Sequence, residues 1–247
     1  MKTVTKILAP LALFASMSAQ ADFIGGSVEA SYWYGGVGGD ATFGSTVDAE
    51  DDLGFGDDSF FEIAATVEHP VPLIPNVRVK YADIEQSSDG NLTASFGNTA
   101  TEVTGSVETT LDLSHMDLIL YYEILDNWVS VDIGLDFKKF DGVLELTETT
   151  GLTPNTSTTD IDEFLPLAYA SAEIALPFTD MSFGAELSAL TYSDTAIYDG
   201  KVRFRQGFSL AFIELGYRQM GFKLEDIDDL DVDVNIGGAY ISTGLDF

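Results

Sequence analysis

The feature that most constrains this chain is a two-residue alternation of apolar and polar side chains, repeated in segment after segment. Between 128 and 138, Val129, Val131, Ile133, Leu135 and Phe137 fall on one face, and Trp128, Ser130, Asp132, Gly134, Asp136 and Lys138 on the other. Successive side chains of a strand point to opposite sides, so such a segment is a strand with one apolar and one polar face. Residues 59–69, 77–86 and 181–190 read the same way. No stretch after residue 21 approaches the roughly 18 consecutive apolar residues of a membrane helix. Only helices and closed barrels satisfy every backbone N–H and C=O within hydrocarbon, so a membrane location requires a barrel.

The alternation predicts ten strands, within a range of eight to twelve: 23–34, 59–69, 77–86, 106–124, 128–140, 162–176, 181–192, 196–205, 209–223 and 234–247. Short connectors follow every second strand (70–76, 125–127, 177–180 and 206–208). Longer polar ones (35–58, 87–105, 141–161 and 224–233), with a short one at 193–195, follow the others. Short turns at one rim and long loops at the other are the pattern of a transmembrane antiparallel up-and-down β-barrel with periplasmic turns and acidic extracellular loops. A soluble sandwich or lipocalin-like barrel also alternates, but turns its polar face outward. Aromatic residues near strand ends (Tyr32, Trp33, Tyr34, Tyr121, Tyr122, Trp128, Phe137, Phe140, Tyr192 and Tyr217) favour the membrane form, which carries interfacial aromatic girdles.

Lys2 and Lys6, an apolar run from Ile7 to Ala15 and the small residues Ala19-Gln20-Ala21 have the layout of a secretory signal peptide over residues 1–21, leaving one barrel domain over 22–247. That domain carries nine of the 11 Lys and Arg residues against all 41 Asp and Glu. So acidic a chain lacks the basic surface needed for nucleic acid. Its 45% hydrophobic content argues against disorder. The absence of cysteine excludes disulfides and thiolate metal sites.

The last strand, Gly237 to Phe247, resembles the carboxy-terminal signal by which outer-membrane proteins are recognised for insertion. Tyr240, Ile241, Leu245 and Phe247 carry the resemblance, with Thr243 a mild departure. The whole chain resembles a family of small, uncharacterised proteobacterial outer-membrane barrels with a Gly-Gly pair near the mature N-terminus. The matching pieces are Phe23-Ile24-Gly25-Gly26, Asp51-Asp52-Leu53-Gly54, Leu113-Ser114-His115-Met116-Asp117, Pro177-Phe178-Thr179, Gly216-Tyr217-Arg218 and the Gly-Gly-x-Tyr of the last strand. The resemblance implies an outer-membrane location. It implies lipid and lipopolysaccharide as surroundings, and periplasmic chaperones and the barrel-assembly machinery as partners during biogenesis. It carries no catalytic residue. A monomer is expected.

Charge placement sets the functional expectations. Arg78, Lys80, Lys138, Lys201, Arg203, Arg205 and Arg218 fall on the polar faces of their strands, which must be the lumen, because Lys or Arg on the lipid face near the midplane costs about 2–4 kcal/mol. Glu29, Glu62, Glu68, Asp117, Asp132, Asp136, Glu173, Glu186 and Glu214 share those faces. Two arrangements fit: a salt-bridged plug, since a barrel this size is barely wider than its inward side chains, or a basic ladder lining a path for small anions. No cofactor is expected. Asp51, Asp52, Asp57 and Asp58 flank two glycines and offer hard oxygen ligands for Ca²⁺ or Mg²⁺, against the alternative of a solvated acidic rim.

Only two histidines are present. His69 precedes Pro70 in a short turn. His115 shares a strand face with Asp117, whose carboxylate could orient the imidazole for general-base work. Ser114 points the other way, and Ser130, Ser182 and Ser188 are inward candidates of unknown pairing. The leading expectation is a non-enzymatic barrel with a filled lumen and an envelope or surface-interaction role. Its rivals are a narrow solute channel and a lipid A- or peptide-modifying enzyme built on His115 and Asp117.

Overall fold

The computed structural model describes residues 25–43, 45–71, 73–96, 103–150, 154–192, 195–227 and 230–247; residues 1–21, expected from the sequence to be a signal peptide, lie outside them. Among these the chain is all β. Ten strands form a closed antiparallel barrel: β1 (Gly25–Phe43), β3 (Asp57–Glu68), β4 (Asn76–Asp83), β7 (His115–Asp126), β8 (Val129–Phe140), β11 (Phe164–Ala175), β12 (Met181–Tyr192), β13 (Thr195–Phe208), β14 (Ala211–Ile227) and β15 (Leu230–Asp246). β15 pairs with β1 to close the ring, from Ser27 opposite Asp246 to Phe43 opposite Leu230.

The seam shows why glycine stands near its start. Gly26 and Phe247 exchange two backbone hydrogen bonds of 2.9 Å, one in each direction. A Cβ on Gly26 would lie 2.7 Å from the Thr66 carbonyl oxygen and 3.0 Å from the Phe247 ring. Any larger residue would push the closing strands apart.

Side-chain burial inverts the order of a soluble barrel. On β8 the apolar Ile133 and Leu135 are 50% and 49% exposed, whereas Asp136 and Lys138 are fully buried. Val79, Leu118, Ile174, Phe183, Leu187, Val202, Ile213, Leu215 and Ile241 are likewise exposed, while charged residues of the same strands face inward. A sandwich would bury the first set. An exposed apolar band around polar contents is what a lipid-embedded barrel requires.

Five of the barrel strands are 12 residues long, enough to cross a bilayer, and β4, at 8 residues, is the shortest. β1, β14 and β15 run to 19, 17 and 17 residues and continue beyond one rim. Much of what the sequence suggested as long polar loops at that rim is strand. β2 (Ser45–Asp48) folds back on β1, and β5 (Glu85–Phe96), β6 (Val103–Asp112), β9 (Gly142–Glu148) and β10 (Thr156–Ile161) form a second sheet ordered β10-β9-β6-β5. The expected strand 106–124 is accordingly two: the chain leaves the second sheet after Asp112 and enters the barrel at His115. These segments look like loops because their outward positions are Asp, Glu, Ser and Thr. Their inward positions, Ile84, Leu92, Val103, Val107 and Leu146, keep the two-residue period and are buried.

The opposite rim, where the Gly26–Phe247 end of the seam lies, is made of short turns. Leu73, Phe178 and Ser209 at these turns have positive φ (71°, 64° and 61°).

Candidate functional site

The lumen is filled in two tiers, the first made of ion pairs. Antiparallel register puts opposite charges side by side: Asp117 faces Lys80 on one neighbour and Lys138 on the other, and Glu186 faces Lys201. From the turn rim upward, Arg205 meets Asp246 at 2.6 Å with its guanidinium 3.5 Å from the Phe212 ring centroid. Arg203 contacts Glu173 at 3.0 Å, Glu186 at 3.2 Å and Glu214 at 3.7 Å. Glu186 is a hub, reached also by Arg78 at 3.0 Å, Lys201 at 3.5 Å and Lys80 at 3.9 Å. Arg218 grips both oxygens of Asp199 (2.9 and 2.8 Å) and Glu62 at 2.8 Å. Lys138 donates to both oxygens of Asp117 (2.8 and 2.9 Å) and to Asp199 at 3.1 Å, with Lys80 3.1 Å from Asp117.

Hydroxyls occupy further inward positions. Tyr240 donates to Glu214 at 2.6 Å, Tyr121 donates to Glu68 at 2.6 Å, and Ser31 and Ser242 share a hydrogen bond of 2.7 Å. Asp136 is fully buried, and neither of its carboxylate oxygens makes a hydrogen bond.

The second tier is apolar and lies toward the loop rim. Trp33, Phe60, Phe140, Met220 and Ile236 from the barrel wall pack with Val47, Leu53, Phe55, Leu92, Val107 and Leu146 from the extended strands and turns. Trp33 and Phe60 have centroids 5.2 Å apart, and Phe140 meets Phe222 edge-on at 5.6 Å. The tiers join where the Arg218 guanidinium lies 4.9 Å from the Trp33 ring centroid.

His115 occupies this boundary, 4.9 Å from the Phe140 ring. It shares the inward face with Asp117 as expected, but the two form no hydrogen bond. The Nδ1 of His115 pairs with the Leu113 carbonyl at 2.8 Å, and its buried Nε2 has no partner. The carboxylate expected to orient the imidazole is drawn instead to Lys80 and Lys138, because a full cation attracts it more strongly than a neutral ring. Ser114 accepts the Ile84 N–H at 3.1 Å. Among the described residues, no serine hydroxyl is hydrogen-bonded to His115. The other histidine clasps its own turn, with Nε2 3.2 Å from the Pro75 oxygen and Nδ1 accepting the Val71 N–H.

Among the described residues, one group converges as metal ligands would: His115, Asp117 and Asp199, whose ligand atoms lie within 4.8 Å of one another. The Lys138 ammonium bonds both carboxylates and supplies the positive charge there. Asp51, Asp52, Asp57 and Asp58 do not converge in this way. Asp52 accepts the Asp48 N–H at 2.9 Å, Asp58 accepts the Ser59 N–H at 2.7 Å, and Asp57 begins β3.

The side chains of Arg78, Lys80, Lys138, Lys201, Arg203, Arg205 and Arg218 are at most 24% exposed, and each is ion-paired. Tyr240, grouped from the sequence with Ile241, Leu245 and Phe247, instead points into the lumen at 6% exposure, while Ile241 and Leu245 face outward. Asp199, bound by both Lys138 and Arg218, escaped sequence reasoning, although its two-residue spacing from Lys201 places it on the same face.

The fold is similar to that of solved outer-membrane barrels. The outer membrane protease OmpT from Escherichia coli matches with a TM-score of 0.52 at 9% identity, over 92% of this chain and 97% of that one. A FadL homologue from Pseudomonas aeruginosa matches at 0.40 and 7% identity, over 92% and 90% of the two chains. The attachment invasion locus protein Ail of Yersinia pestis matches at 0.34 and 11% identity, over 90% and 99%. No family model matches the sequence, and no curated protein is similar to it. The class is thus defined by fold: a ten-stranded β-barrel of the outer-membrane type.

Proposed function

We propose that this protein is a non-conducting, non-enzymatic barrel of the bacterial outer membrane that holds a rigid β-platform at the cell surface. In this reading the turn rim faces the periplasm and the second sheet stands outside the cell, among lipopolysaccharide. The barrel reaches its place through the periplasmic chaperones and assembly machinery. The observation that carries the proposal is the two-tier filling: a path along the axis would have to pass the ion pairs around Glu186 and Asp117 and then the apolar tier around Trp33 and Phe140. Ions do not cross a dry apolar constriction readily. The same tier separates His115 from the loop rim, so the residue best suited to general-base chemistry has no route to an outside substrate.

The test is single-channel recording of the refolded protein in planar bilayers at high salt. The expected result is no discrete conductance steps. Reproducible steps that disappear on deleting the barrel would establish the channel instead.

A further inference from the structure

The short turns at the seam rim carry side chains that a water-facing turn does not call for. Phe178 is fully exposed (107%) and Leu73 is 90% exposed, with Trp128 and Leu210 close to two-thirds exposed, all more than the half-exposed lipid-facing Ile133 and Leu135. We propose that these turns are an interfacial anchor: Leu73, Trp128, Phe178 and Leu210 insert into the headgroup region of the adjoining phospholipid leaflet. The proposal rests on the reading of the chain as a membrane-embedded barrel and adds where its lower boundary lies.

Three observations support lipid as the occupant. The first is backbone conformation. Leu176 to Thr179 is a turn closed by the Thr179 N–H on the Leu176 carbonyl at 3.2 Å, with Pro177 second and Phe178 third at φ 64°. That third position normally takes glycine. Leu73, at φ 71°, breaks the same rule, since bulky residues rarely adopt the left-handed region. Two independent turns thus hold a large apolar side chain where glycine would fit without strain, and such outliers point to a use for the side chain.

The second observation is continuity with the lipid-facing wall. Tyr122, exposed on the outer face of β7, donates its hydroxyl to the Leu73 carbonyl at 2.9 Å, tying the turn to the wall. Ile124 and Leu125, also exposed, carry the apolar surface from Tyr122 toward the rim, and Ile174 does so on β11. The third is chemistry. Trp and Tyr with flanking aliphatic residues are the side chains favoured where hydrocarbon gives way to headgroups. A turn stapled by His69 to Pro75 and Val71 presents them already ordered.

The chain has no cysteine, so single cysteines can be placed and spin-labelled without further change. Leu73→Cys, Phe178→Cys and Leu210→Cys would be labelled in phosphatidylethanolamine/phosphatidylglycerol vesicles, with Ile133→Cys as the lipid-band reference and Ser87→Cys as the water reference. Heat-modifiable gel migration confirms that each variant is folded. Collision rates with oxygen and with an aqueous nickel chelate are then compared. The anchor predicts that all three turn labels fall between the references, at least threefold less accessible to the chelate than Ser87→Cys. Turn labels as accessible as Ser87→Cys, with Ile133→Cys protected, would overturn the anchor and leave the membrane barrel intact. An Ile133→Cys label open to the chelate would overturn both. Protection in native membranes but not in pure lipid vesicles would also overturn it, assigning the turns to a protein partner. Quenching of the native Trp128 by lipids brominated near the headgroup gives the same answer without a label on the turns.

Discussion

Arg218→Met separates a lumen held by buried ion pairs from one that merely contains charges. Arg218 makes three charge-assisted hydrogen bonds, two to Asp199 and one to Glu62, and both partners' side chains are at most 7% exposed. Hydrogen bonds to charged groups contribute about 1.5–3 kcal/mol each, but the three do not simply add. Asp199 keeps Lys138 at 3.1 Å, while among the described residues the ion pair left to Glu62 is the long one to Lys201 at 4.0 Å. Removing one partner of a buried pair costs about 3–5 kcal/mol because the other charge is left uncompensated, and Glu62 is the group so stranded. Arg205→Met is the matched control. Its partner Asp246 is half exposed, so the loss should be at most about 1 kcal/mol. Equilibrium guanidinium unfolding in vesicles, followed by tryptophan fluorescence, measures both. Adding Glu62→Gln to Arg218→Met should recover part of the loss by removing the stranded carboxylate. Equal costs for Arg218→Met and Arg205→Met, or no recovery in the double variant, would refute the reasoning.

Two other substitutions probe the barrel. Gly26→Val should prevent closure at the seam, because its Cβ would meet the Thr66 carbonyl and the Phe247 ring. The expected readout is loss of the heat-modifiable folded band on gels, whereas Gly56→Ala, at a position with open space around the Cβ, should keep it. Asp136→Leu should stabilise the protein by about 1–3 kcal/mol, since it removes a buried carboxylate that has no hydrogen-bond partner. A lower guanidinium midpoint for that variant would contradict this.

Strand positions and the inward direction of the charges were legible because both follow from a period of two, which needs no knowledge of partners. Lys201, Arg203 and Arg205 reveal their face by spacing alone. Which acid meets which base was not legible, since Arg218 with Glu62 joins residues 156 positions apart and depends on closure and register. The β5–β6 and β9–β10 hairpins were hidden for a different reason: composition resembled loop, and only the inward Val103, Val107 and Leu146 kept the strand period. The expected His115–Asp117 pairing failed because a shared face says nothing about competition, and Lys138, directly opposite Asp117, prevails.

The second tier also accounts for where the excess negative charge resides. Inside the barrel, seven basic residues pair with Glu62, Asp117, Glu173, Glu186, Asp199, Glu214 and Asp246, because an unmatched buried charge is costly. Beyond the apolar tier that constraint lapses. On the outer face of the second sheet, Glu85 stands opposite Asp112 and Asp89 opposite Glu108, with Ser87 and Thr110 hydrogen-bonded between them. Like charges directly across strands oppose pairing, so this sheet must draw its stability from the other face. There Ile84, Leu92, Val103, Val107 and Leu146 are all buried in the cap. The tier that closes the barrel is therefore the same one that supports an otherwise self-repelling platform. Weakening the cap at Phe140 or Trp33 should loosen the sheet above and the ion pairs below together.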